Sequence, residues 1–213
     1  MLYKKKKSRL HKRLRRILLF LILLITVIIL VFESQAIPFT KKCVRKQAKT
    51  ISARIIGKAV DSVVTKLNYK YKDLAVINYS DNGQVNSISA NSININRIKS
   101  NTIDKIQNEL DKNKVYKFSL PLGSFTDITL FSTFGPDIEI SFVLTGSVNC
   151  KIESKFESGG VNQTVHHIFL VVETEIITIS PEYSEKVNYK TDYEIAQTVI
   201  VGSTPSTYAD IVR

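Results

Sequence analysis

Tryptophan is absent from the 213 residues, methionine occurs once, cysteine twice and histidine three times. Each scarcity closes a route. Cys43 and Cys150 are too few and too far apart for a disulfide framework or a zinc site built on paired thiols. Two unbridged thiols, or one long-range bridge, remain as alternatives. Because His11 lies in a basic N-terminal run, only His166 and His167 are left to the rest of the chain for proton transfer near neutral pH or for ligating a metal. No serine occupies a G-x-S-x-G elbow, no G-x-x-x-x-G-K-[ST] loop occurs, and neither cysteine has a histidine within motif distance. The acidic residues are scattered, so no pair can be given opposite acid and base roles. These absences argue against an enzyme, and neither a cofactor nor a metal is expected.

Acidic residues are also missing from the first 16 positions, which hold nine basic ones: Lys4, Lys5, Lys6, Lys7, Arg9, Lys12, Arg13, Arg15 and Arg16. Removing nine from the net charge of +11 leaves about +2 for everything else. The body of the protein therefore carries no broad electrostatic footprint for a polyanion, and nucleic acid is not an expected partner.

Directly after the basic run, residues 17–32 read ILLFLILLITVIILVF, in which only Thr26 is even mildly polar. At roughly 1.5 Å per residue this stretch spans about 24 Å, short of a hydrocarbon core of roughly 30 Å. Snorkelling arginines and the apolar Ala36, Ile37 and Phe39 bring a spanning helix within reach. The expected organisation is a basic cytoplasmic segment over 1–16, a single-pass transmembrane anchor over 17–36, and one extracytoplasmic α+β domain over 37–213. The orientation follows from the positive-inside rule, and the basic run would sit against anionic headgroups. A signal peptide cleaved after Ala36 is the alternative to a retained anchor.

Beyond residue 37, Val44, Ala48, Ile51, Ile55, Ala59, Val63 and Leu67 recur at intervals of three or four, which predicts an amphipathic helix over 42–68 with a basic opposite face. Such a face either meets water, with the apolar stripe on the core, or lies on headgroups. The stretch LAVINYSDNGQVNSISA predicts a hairpin turning at Asp81, Asn82 and Gly83. Ile95, Ile98, Ile103, Ile106 and Leu110 mark a second helix. From Val115 the period changes to two, with Ile138, Ile140, Phe142 and Leu144 on one side, which predicts a mainly antiparallel β-sheet. Turns are expected at PLGS (121–124), FGP (134–136), SGG (158–160) and VGSTP (201–205).

The histidine pair falls in the extended run VHHIFLVVETEIITI. Alternation along a strand groups His166 with Ile168, Leu170 and Val172, and His167 with Val165, Phe169 and Val171. From a regular strand the two cannot bind one metal. Gly159, Gly160, Asn162, Gln163, Thr164 and His166 form the candidate motif turn. Its Asn and Thr side chains can bond their own backbone, and His166 can lock the loop to the next strand. Asn162-Gln163-Thr164 also matches a glycosylation sequon, weak by itself.

The blocks PLGSF (121–125), FGP (134–136), FESGGVNQTVHHIFL (156–170) and AQTVIVGSTPSTY (196–208), in this order after a basic N-terminus and one hydrophobic segment, resemble the sporulation protein YunB family. Val161 stands where an isoleucine is expected, and His166 is the histidine that carries over. The resemblance implies a sporulation role, with membrane attachment in the mother cell or outer forespore membrane, and no established enzymatic activity. Two readings of different class follow. One is an anchored scaffold or interaction domain in spore envelope formation, with a protein partner or self-association. The other is a lipid-contacting module with an apolar groove between the long helix and a curved sheet.

Overall fold

The computed structural model describes residues 3–81, 83–126, 129–180 and 183–202, with side chains described from Leu14 onward except for Ile28, Val31 and Phe32. The element order is α1 (Tyr3–Leu67), α2 (Tyr71–Leu74), β1 (Ala75–Tyr79), β2 (Val85–Ala90), α3 (Ser92–Leu110), β3 (Val115–Pro121), two short 3₁₀ turns (Leu122–Phe125 and Thr129–Phe131), β4 (Asp137–Ser158), β5 (Gln163–Ile179) and β6 (Ser184–Val201). The fold is α+β, with a two-stranded sheet of β1 and β2 and a four-stranded sheet in the order β3-β4-β5-β6.

The sequence separates a spanning helix from an amphipathic helix, whereas the structure joins both in the 65-residue α1, with Pro38 inside it. Proline deprives a helix of one backbone hydrogen bond. Two residues later the Thr40 hydroxyl donates to the Ala36 carbonyl at 2.8 Å. Among the described residues no helix is long and apolar enough to cross a membrane. The run expected to span, 17–36, includes Ile28, Val31 and Phe32, which lie outside the described side chains. Of the basic cluster, Lys4 to Arg13 likewise lie outside the described side chains, while Arg15 and Arg16 are exposed.

Contacts divide the chain into two compact units, Met1–Val44 with Lys117–Ser141, and Arg45–Tyr116 with Phe142–Arg213. In the first, the PLGSF and FGP blocks fold onto one another. The Leu122 and Gly123 amides donate to the Pro136 and Phe134 carbonyls at 2.9 and 2.8 Å, and the Ser124 hydroxyl donates to the Ser132 carbonyl at 2.7 Å. A Cβ on Gly123 would lie 1.7 Å from the Phe131 carbonyl oxygen, so only glycine permits this crossing. Phe125 meets Phe39 edge to face at 5.6 Å.

The second unit holds most of the core. The C-terminal half of α1 contributes Ile56, Ala59, Val60 and Val63, all at most 5% exposed, and α3 contributes Ile98, Ile106 and Leu110. These stripes follow from helical spacing, and Phe142 and Leu144 of β4 and Ile168, Leu170, Val172 and Ile176 of β5 are buried likewise. On α3 the buried position is Thr102 and not its apolar neighbour Ile103, which is only half-buried. Asn91 caps that helix by accepting from the Asn94 amide. The hairpin forms as expected, with Gly83 at φ +76° and its amide bonded to the Ser80 carbonyl; Asn82 lies outside the described residues. The alternation read from Ile138 to Leu144 continues up to the motif turn as one 22-residue strand, β4. The 18-residue β6, which no sequence pattern singled out, pairs with β5 along its whole length. Arg45 of α1 forms an ion pair with Glu185 of β6. No disulfide joins Cys43 to Cys150, and burial pushes the Cys150 thiol up to about 11, so it stays protonated.

Candidate functional site

The motif turn connects β4 to β5, and pairing across it is continuous from Ser158 opposite Thr164 to Val143 opposite Ile179. Gly160 has φ +154° and the Gly159 amide donates to the Gln163 carbonyl at 2.9 Å. Asn162 was expected to bond its own backbone. It instead reaches the end of β6, where its side-chain amide donates to the Gly202 carbonyl at 3.3 Å and its own carbonyl accepts from the Gly202 amide at 2.7 Å. The reason is register: β6 runs the full length of β5, so its end arrives beside the turn. Gln163 and Thr164 are exposed and their side chains make no hydrogen bond among the described residues.

His166 does not lock the turn. It sits at the centre of an aromatic contact drawn from distant parts of the chain. Its Nδ1 lies 2.6 Å from the Tyr71 hydroxyl on α2. The Tyr71 ring meets it edge-on at 5.5 Å, and Phe156, its cross-strand partner on β4, stacks on it at 4.4 Å and 8°. A phenol is a stronger hydrogen-bond donor than a neutral imidazole N–H. We therefore assign the hydrogen bond as Tyr71 Oη–H to Nδ1, which leaves the ring proton on Nε2. Burial raises the Tyr71 hydroxyl above its ordinary value, so it stays protonated. Burial, with a smaller contribution from His167, pushes His166 below the ordinary histidine range. The residue is 3% exposed, and its Nε2 has no hydrogen-bond partner among the described residues.

That shift fixes a sign. The native value lies below the unfolded one of about 6.5, so the unfolded chain holds the proton more tightly. The contribution of His166 to stability is complete above pH 6.5 and is lost as pH falls towards the native value. The midpoint of urea unfolding is expected to drop between pH 7.5 and 5 by more in the wild type than in His166→Phe. Equal drops would show that His166 does not titrate on unfolding.

As alternation predicted, His167 points to the opposite side of β5. Its Nδ1 is 2.8 Å from Glu194 of β6, its Nε2 is 3.8 Å from Glu157, and its ring stacks loosely with Phe169. Among the described residues no three His, Cys, Asp or Glu side chains converge as metal ligands.

Beside His166 opens a cavity of about 500 Å³. Leu74, Ile88, Ile95, Ile152, Phe156 and Ile168 supply its apolar walls. Lys99, Ser154 and His166 are its polar lining, with no acidic residue. This cavity is not the groove expected between the long helix and the sheet. The lining comes from α2, the β1–β2 hairpin, α3, β4 and β5, and none of it from α1. Sequence reasoning missed Tyr71, Phe156 and Lys99. The alternation that places His166 on the buried side of β5 also places Ile168 there, and that is the one local signal.

Residues 117–207 match the family described as Sporulation protein YunB. The Sporulation protein YunB of Bacillus subtilis (strain 168) is 22% identical to this chain over 199 residues, covering 89% of this chain and 78% of that protein. No solved structure matches. The matched stretch contains the PLGSF and FGP turns, the motif turn and strands β4 to β6. The resemblance read from these blocks therefore holds, and the chain is related to the sporulation protein YunB family.

Proposed function

We propose that this chain serves sporulation as a membrane-anchored, non-enzymatic interaction domain in spore envelope formation, its main domain outside the cytoplasm. The sporulation role rests on the family relationship. Anchoring rests on the first half of α1. Ile17, Leu18, Phe20, Leu23 and Leu30 are each between 58% and 67% exposed. At 3.6 residues per turn these positions point to all sides of the helix, so no single packing surface would cover them. Acyl chains would, at a gain of roughly 0.3–0.6 kcal/mol per residue. Arg15 and Arg16 at its start suit a headgroup layer on the cytoplasmic side. Interaction is supported by the motif end of the sheet, where Val161 of the turn and Val199 and Val201 of β6 are more than half exposed.

The test is fractionation of sporulating cells. The full chain is expected in the membrane pellet after alkaline carbonate washing. In protoplasts of growing cells made to express the chain, where the plasma membrane alone encloses the cytoplasm, its C-terminal part should be cut by added protease while residues 1–16 are spared. Extraction by carbonate, or protection of the C-terminal part in intact protoplasts, would overturn the reading.

A further inference from the structure

The cavity beside His166 has the make-up of a binding site. Its volume lies within the roughly 300–1,000 Å³ usual for small-molecule pockets, and its apolar walls with a few convergent polar groups fit the same class. Two features of the polar lining point to the ligand. Lys99 forms no ion pair among the described residues and brings a positive charge to a lining without acids. His166 is buried, with an Nε2 that no described residue satisfies, and an unpaired buried polar group costs free energy until something bonds it.

We propose that this cavity binds a single-chain aliphatic amphiphile with a carboxylate head. The chain would lie against Leu74, Ile88, Ile95, Ile152 and Ile168, whose branched aliphatic surfaces suit an alkyl chain better than a flat ring. The head would take its charge partner from Lys99 and hydrogen bonds from His166 Nε2–H and the Ser154 hydroxyl. One ammonium charge and a few donors match a singly charged two-oxygen head better than a doubly charged phosphate. Tyr71 acts as a positioning residue, because its hydroxyl on Nδ1 holds the proton at Nε2. Phe156, stacked on the imidazole and 58% exposed, is the wall free to shift when the head reaches His166.

The experiment is photo-crosslinking. Cells expressing the tagged full chain are broken without detergent. The whole suspension is then illuminated with a diazirine-bearing decanoate, or with the matching decanol or decyltrimethylammonium. Peptides of the captured chain are mapped by mass spectrometry. The carboxylate is expected to label peptides carrying Ile88, Ile95 and Ile152 at least fivefold more than either other head, and excess decanoate should compete. Lys99→Glu should cut that labelling at least tenfold and His166→Phe severalfold. Lys105→Glu, outside the cavity, should leave it unchanged. Should His166→Phe fail to fold, Lys99→Glu alone decides. Equal labelling by the three heads, labelling unaltered by Lys99→Glu, or no labelling of these peptides would overturn the proposal.

Discussion

Gly146→Ala is expected to lower the stability of the second unit by about 3 kcal/mol, the upper end of what overpacking a core costs. Gly146 lies within β4, opposite Ile176 of β5. A Cβ there would stand 2.1 Å from the Glu175 carbonyl oxygen and 2.9 Å from the Ile176 Cα. Both are backbone atoms of a central strand that is paired along its length on both sides, so they cannot turn aside as the end of a flexible side chain would. The Gly146 carbonyl also accepts from the Gln107 side chain of α3 at 3.1 Å, which fixes the strand from the other side. The chain must either pull β4 away from β5 at this pair or bend β4 out of the contact with α3. The midpoint of urea unfolding measures the loss. Gly202→Ala serves as the comparison, because its Cβ would meet its nearest neighbour at an ordinary 3.5 Å, and it should stay within about 0.5 kcal/mol of wild type. Equal midpoints for the two variants would show that β4 yields locally at Gly146.

Leu170→Ala is expected to cost about 2–5 kcal/mol. Leu170 is fully buried on β5, with Ile152 of β4 and Tyr193 of β6 as its cross-strand neighbours. Truncation loses the transfer free energy of the buried methyl groups and adds the cost of the cavity left behind. The surrounding side chains can close that cavity only in part, because neighbours on both flanking strands are held by backbone pairing. Ile177→Ala, on the same strand but 38% exposed, should cost much less, since that side chain already meets water. A Leu170→Ala loss no larger than that of Ile177→Ala would mean that the buried side of β5 is not the organising surface of the core. Leu170 shares its side of the strand with Ile168 and His166, so this packing also supports the wall of the cavity.

How far the sequence could be read depended on how local the determining contacts were. The stripe of Ile98, Ile106 and Leu110 announced α3 because spacing along one helix is a property of adjacent turns. The opposite orientation of His166 and His167 followed from the pleat of a single strand. The hairpin followed from three consecutive residues with the right backbone freedom. The two helices expected on either side of residue 37 are one in the structure, because α1 continues through Pro38. The alternation read from Ile138 to Leu144 likewise runs further than its spacing shows, because Gly146 interrupts the pattern without interrupting the pairing. Full-length pairing with β5 is also what makes a strand of β6, whose charged and polar residues hide its alternation.

From sequence alone come the helix and strand periods, the sides taken by the two histidines and the concentration of charge at the N-terminus. These are determined by neighbours within a few residues, where geometry is nearly independent of the rest of the chain. Tertiary structure alone decides that Tyr71 holds His166 across a separation of 95 residues, that Asn162 reaches the end of β6, and that the apolar cavity opens onto the hairpin and α3 and not onto α1. Those outcomes depend on strand register and on which surfaces the core has already used, and neither is written in any local stretch.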